Sequence, residues 1–217
     1  MTHSLLRLMM LLSPSFPVGG FAYSSGLEQA AAEGLVKDAA ALAIWLETLI
    51  ESGPAWNDAV LLCAAFRQHG EPAALAQTAA LAAALAGSKE RLMDTLNLGG
   101  AFADAVKAAG LPCPCIPEDA AYPVAVGAVA AANAISAEDA AAAFLHAFVS
   151  NQIQCAIRLG VTGQNGGVAL LASLESRIAE IAAHAAASTP DDLGGSAIMA
   201  DIASMRHETL HSRIFRS

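Results

Sequence analysis

Aromatic side chains are scarce in this chain of 217 residues, at 5%, although 55% of it is hydrophobic. Alanine carries much of the difference. It is the strongest helix former, and segments with a strand-like pattern are hard to find, so the expected fold is all-α. A single-domain helical bundle of roughly eight to ten helices suits a chain of this length. Small side chains also let helices approach closely, within one chain or between two copies. So much apolar content without a spanning segment implies surface covered by partners or by a second copy, and a homodimer is expected.

Basic residues are also few, 11 Lys and Arg against 20 Asp and Glu, for a net charge of −9. That balance excludes general nucleic-acid binding, which needs a basic face. No apolar run reaches the roughly 18 to 20 residues that cross a bilayer. "LLRLMMLL" (5–12) is short, carries Arg7, and lacks the flanks of a signal peptide. A cytoplasmic protein without a membrane segment is expected.

The four cysteines, Cys63, Cys113, Cys115 and Cys155, show no disulfide-framework spacing and should be reduced. Cys113 and Cys115 could offer two thiolates to a soft metal. Two ligands fall short of a full set, and Pro112, Pro114 and Pro117 make the segment a stiff connector. Enzyme signatures are missing as well. "AGSKE" (86–90) has Ala82 where a phosphate loop needs its first glycine, "GQNGG" lies between helices rather than after a strand, and there is no G-x-S-x-G elbow.

What is present reads as successive helices. A short one over 4–12 precedes the loop "SPSFPVGGFAYSSG" (13–26). Ser25 and Glu28 have capping-box spacing, and Asp38 can cap a helix that buries Leu42, Trp45, Leu46, Leu49 and Ile50. Pro54 opens another to about His69. "PAALAQTAALAAALA" (72–86), apolar on most sides, is expected at the centre. Ser88 starts a helix to about Ala109, and the Pro-rich 111–117 joins two halves of one bundle. "YPVAVGAVAAAN" (122–133) reads as a helix for want of a partner strand. Ser136 caps a helix to about Leu159, 160–167 is a glycine-rich break, and Val168–Ala187 forms the last long helix. Residues 188–196 look flexible, and 188–217 as a whole is expected to be a flexible or partner-ordered tail.

"HETLH" (207–211) has the spelling of a zinc protease, with two histidines four apart and a glutamate for the water. A catalytic zinc needs a third protein ligand, and here no His, Asp or Glu follows His211. A zinc metallohydrolase using His207, Glu208 and His211 is the disfavoured alternative. A surface helix carrying two histidines is the simpler reading.

Three stretches carry a resemblance. "FPVGGFAYSSGLE" (16–28), "AIRLGVTGQNGGVALLASL" (156–174) and "SMRHETLHSRIFRS" (204–217) together resemble the UreF family of urease accessory proteins. Family members show L-P-x-G-G-F-x-x-S-x-G-L-E near the start, R-L-x-x-x-G-Q late in the chain, and M-x-H-E-x-x-x-S-R-L-F-R-S at the end. His207 and Glu208 match that last pattern, whereas His211 stands where an aromatic residue is more usual, so the zinc-protease spelling is accidental.

The resemblance implies an all-helical, dimer-forming accessory protein with no chemistry of its own. It implies a bridge between UreD (also called UreH) and the GTPase UreG, in an assembly that docks on apo-urease and supports GTP-dependent nickel insertion. Nickel and GTP would then act through partners, with no cofactor bound stably here. His3, His207, His211 and the Cys113/Cys115 pair suit Ni(II) chemically but make no complete ligand set, so no metal site is assigned.

Met205, Arg206, His207, Glu208, Ser212, Arg213, Ile214, Phe215 and Arg216 are expected to dock a partner, Arg213 and Arg216 as planar donors and Ile214 and Phe215 as apolar anchors. The competing reading is an ordinary charged helix end. Gly19, Gly20, Phe21, Ser24, Glu28, Arg158 and Gln164 are loop and interface candidates. Glu28 has a structural reading as a capping residue, with Ser24 or Ser25 as its partner. Arg158 is expected to satisfy its helix's last carbonyls, or else to bond the Gly163–Gln164 turn.

Overall fold

The computed structural model describes residues 2–217, and among them the chain is all-helical. Helix α1 spans Thr2–Leu11 and is followed by a 3-10 turn, Gly20–Ala22. Then come α2 (Leu27–Ala32), α3 (Ala39–Ser52), α4 (Pro54–Arg67), α5 (Pro72–Ala84) and α6 (Lys89–Ala108). The second half holds α7 (Tyr122–Ala132), α8 (Ala137–Arg158), α9 (Gln164–Ala187), a 3-10 turn at Pro190–Asp192, and α10 (Ile198–His207). The expected caps are in place. Asp38 accepts from the amide of Ala41, Ser88 from Arg91 and Ser136 from Asp139, each satisfying an amide that the helix leaves free.

Helices α4 and α7 form the centre. Helix α7, the ambiguous valine-rich segment, is buried continuously from Pro123 to Ala130 and packs chiefly against α4. Gly127 makes that contact possible, because a Cβ there would sit 2.0 Å from the Leu62 carbonyl oxygen. Around this pair, α3, α6, α8 and α9 contribute Leu46, Phe102, Leu145 and Ile178, so both halves of the chain share one core. Aromatic scarcity thus has a structural counterpart: the interior is filled by close backbone approach more than by large rings.

Three expectations need correction. Helix α5 lies at the periphery, burying only Leu75, Thr78, Ala79 and Ala82. An exposed alanine gives up little hydrophobic burial, so an alanine-rich helix can read as central from its composition without being so. Helix α9 begins at Gln164, four residues before the expected start at Val168. Gly167 serves packing, since a Cβ on it would meet Ile153 Cγ2 at 2.7 Å, at the close crossing of α9 and α8. The 188–196 connector is tied to the end of α3 and to both ends of α4. Trp56 Nε1 donates to the Asp192 carbonyl at 3.1 Å, the Ser196 amide donates to the Ser52 carbonyl at 2.7 Å, and Arg67 Nη2 donates to the Ser188 carbonyl at 2.8 Å.

Gly127→Ala should therefore lower unfolding stability by about 2 kcal/mol through overpacking of backbone on backbone. Gly70→Ala, where a Cβ meets open space, should stay within about 0.5 kcal/mol of wild type. Urea denaturation of the two variants side by side checks the pair.

Candidate functional site: a clasp between the two ends of the fold

The loop before α2 and the segment after α10 lie side by side. Gly26 has φ 83 and precedes α2, and a Cβ on it would lie 2.8 Å from the Ser204 amide nitrogen. A glycine is needed there both for the left-handed turn and for α10 to cross so closely. Past the crossing, hydrogen bonds join the two strands of chain. The Arg216 amide donates to the Ala22 carbonyl at 2.7 Å, and the Ser24 amide donates to the Ser217 oxygen at 2.6 Å. The Ser24 hydroxyl donates to that same oxygen.

Glu28 is the polar centre of the clasp. The residue is 5% exposed, and its carboxylate accepts from the Ile214 amide at 2.6 Å through Oε1 and from the Phe215 amide at 3.0 Å through Oε2. Oε2 also lies 3.1 Å from Nε2 of His207, the last residue of α10, whose ring is fully enclosed. On the other side of the ring, Nδ1 is 2.7 Å from Oε2 of Glu90 in the first turn of α6. Arg213 Nη1 donates to Glu90 Oε1 at 2.6 Å, while its Nη2 and Nε donate to the carbonyls of Glu208 (2.6 Å) and Leu210 (3.0 Å). The Glu208 carboxylate accepts from the Lys89 amide at 2.9 Å, at the positive end of α6. Burial raises the Glu28 carboxyl, but the Ile214 amide, the His207 ring and the Phe215 amide outweigh it and hold the group below its ordinary value of 4.5.

An apolar contact closes the clasp. Phe215 is buried, and the Arg158 guanidinium stacks over its ring at 4.2 Å while Nη1 donates to the Phe21 carbonyl at 3.2 Å. Asn151 Nδ2 donates to the Tyr23 carbonyl at 3.1 Å. Gly19, at φ 79, starts the 3-10 turn in which Gly20 and Phe21 sit. Arg206 pairs with Glu33 at the surface, and Met205, Ser212, Ile214 and Arg216 are exposed. Gln164 stands exposed at the start of α9.

Several expectations change here. The segment expected to be ordered only by a partner is instead held by its own chain, because Glu28, Ser24 and Ala22 satisfy its backbone. The capping box fails. The Glu28 amide donates to the Ser24 hydroxyl oxygen at 3.3 Å, Ser25 has φ 53, and the Glu28 side chain is turned to the clasp. Arg158 satisfies neither its own helix end nor the Gly163–Gln164 turn; it serves Phe21 and Phe215. The zinc-protease geometry does not form, since α10 ends at His207 and His211 lies beyond it in exposed chain. Nor is this a surface helix with two histidines, since His207 is enclosed. Glu90 and Asn151 went unnoticed, because nothing in their local pattern distinguishes them from ordinary helix-surface residues.

Among the described residues no group of three or more His, Cys, Asp or Glu side chains is placed to hold a metal ion. Burial pushes the thiols of Cys63 and Cys155 up to about 11 and about 12, which leaves them as unreactive core groups. Among those residues, no helix is long and apolar enough to cross a membrane.

Both nitrogens of His207 and all four carboxylate oxygens of Glu28 and Glu90 are engaged by other parts of the chain. The arrangement fixes a shape and presents its surroundings, as in an all-helical scaffold. Comparison with known proteins gives that class its identity. The UreF family model matches residues 36–175. The urease accessory protein UreF of Rhizobium leguminosarum bv. viciae is 57% identical over 217 residues, covering 99% of this chain and 97% of its own. Those of Agrobacterium fabrum and Mesorhizobium japonicum are 54% and 53% identical, each over 99% of this chain and 96% of their own. The chain belongs to the UreF family of urease accessory proteins.

Replacing Glu28 by Gln should cost about 2 kcal/mol, since a carboxamide presents its NH2 to an amide donor or to His207 and leaves a buried group unpaired. The sign of the pH effect follows from the lowered carboxyl. Its contribution is complete above the ordinary Glu value of 4.5 and is lost as pH falls through the lower folded value. Wild type should therefore lose more stability than Glu28→Gln between about pH 5 and about pH 3. Chemical denaturation across that range reads both effects.

Proposed function

We propose that this protein is a scaffold for nickel insertion into urease. It bridges UreD (UreH) and the GTPase UreG, and the assembly docks on apo-urease for GTP-dependent maturation of the nickel centre. The observation that carries this reading is the near-full-length likeness to curated urease accessory proteins. Nickel is cargo and GTP belongs to the partner, whose hydrolysis the scaffold modulates without chemistry of its own. The setting is cytoplasmic.

The clasp supports a division of labour within 205–217. His207, Glu208, Arg213 and Phe215 have side chains engaged within the clasp, whereas Met205, Ser212, Ile214 and Arg216 face outward and are available to a partner. We assign docking of UreD to these exposed residues. A second copy is the natural cover for the exposed apolar side chains of α1, Leu5, Leu6, Met9 and Met10.

Size-exclusion chromatography with light scattering, on the chain mixed with UreD and UreG, tests the reading. A co-eluting assembly containing two copies of this chain is the expected species. Elution of the chain alone, with or without nucleotide and nickel, overturns the proposal. Ile214→Glu should weaken UreD binding about 30-fold, the equivalent of about 2 kcal/mol for a lost interface anchor. The same variant should leave thermal stability close to wild type, because Ile214 is 56% exposed.

A further inference from the structure

The fully enclosed ring of His207 lies between two carboxylates, Glu28 Oε2 at 3.1 Å from Nε2 and Glu90 Oε2 at 2.7 Å from Nδ1. A neutral imidazole has one N–H and one lone pair, so only an imidazolium can donate to both oxygens. Once the ring is neutral, its lone pair confronts a carboxylate, and a buried charge loses its partner. The segment after α10 depends on this cluster. Within 208–217 only Phe215 and Ser217 are buried, Phe215 beneath the Arg158 guanidinium, and the other attachments run through Glu28, through Glu90 to Arg213, from Glu208 to the Lys89 amide, from the Ser24 hydroxyl to the Ser217 oxygen, and through backbone hydrogen bonds.

We propose that Glu28, His207, Glu90 and Arg213 form a proton-keyed latch. While His207 is an imidazolium, residues 208–217 are seated on the loop before α2; loss of that proton lets the segment lift off as a unit from a body that stays folded. The inference stands on contacts within the chain and holds whichever partner docks there.

Charged groups surround the ring from several elements. Glu28 faces it from α2, and Glu90 faces it from α6, with Asp94 of the same helix close enough to interact electrostatically with the ring, while Arg91 acts on Asp94 and is paired with Asp58. Arg213 reaches it from the segment itself through Glu90. On α10, Arg206 is occupied by Glu33, and the following Glu208 is occupied by the Lys89 amide. Burial pushes the Asp94 carboxyl up to about 6, so its ionisation is the competing source of any pH dependence near neutrality. On the acid side, protonation of Glu28 turns one of the two oxygens that accept from the Ile214 and Phe215 amides into a donor, so seating weakens there too.

The test is amide hydrogen exchange by NMR on the full chain from about pH 5 to about pH 9, which spans the roughly pH 5 to 8 range over which histidines ordinarily change charge. Protection factors corrected for intrinsic exchange would be read at Ser24, Ile214, Phe215 and Arg216 and at buried amides of α4, with the His207 ring followed in the same samples. The four clasp amides should lose at least about tenfold protection together, at the midpoint of the His207 ring, while α4 is unchanged. The loss should persist in Asp94→Asn and be absent in His207→Gln. If His207→Gln does not fold, the wild-type and Asp94→Asn profiles decide. Flat protection while the ring titrates, a ring that keeps one charge state throughout, loss that disappears in Asp94→Asn, or parallel loss in α4 overturns the latch.

Discussion

Two backbone amides late in the chain, those of Ile214 and Phe215, donate to one carboxylate on the first turn of α2. An extended segment with no strand beside it must find partners for its amides, and away from water an unpartnered amide is costly. Glu28 supplies them, and its two oxygens also bring in the enclosed ring of His207. The packing of α10 on α2, the burial of Phe215 and the stack of Arg158 on Phe215 lie around that contact. The route from the loop before α2 to the last residue is closed around a single ionised group.

The remainder of the fold makes that closure affordable in packing terms. Helix α7 is built almost wholly of alanine, valine and glycine, and Gly127 lets its backbone rest against Leu62 of α4. Large rings are placed where they bridge layers, as where Phe102 meets Phe16 and Tyr122 at centroid distances of 5.4 and 5.6 Å. A tightly packed body deforms little, so α2, α6 and α8 hold Glu28, Glu90 and Arg158 in register for the segment that lies on them. For an accessory protein this is useful geometry: a rigid body presents a short segment whose attachment is mostly polar.

Much of the architecture was legible before any coordinates. Helical periodicity located Leu42, Trp45, Leu46, Leu49 and Ile50 on the buried face of α3, and Asp38, Ser88 and Ser136 marked true helix starts. Composition misled at α5, because alanine is equally at home inside and outside. The glycines of 163–167 misled as well, since glycine can mark a break or a close crossing and the letters do not distinguish them. At the site, the three quoted motifs did contain Ser24, Glu28, Arg158, His207, Arg213 and Phe215. What they left out was that these residues address one another across the fold.

The sequence by itself determined that the chain is helical, acidic and poor in aromatics, and that it carries the motifs of a family of urease accessory proteins, because these follow from local propensity, charge and letters in order. Only the tertiary structure decided that Glu28 turns its carboxylate to the clasp, that His207 is enclosed between Glu28 and Glu90 rather than displayed on a surface helix, and that Arg158 serves a ring 57 positions further on. Those roles depend on which groups burial brings within about 3 Å of one another, a distance that no spacing along the chain encodes.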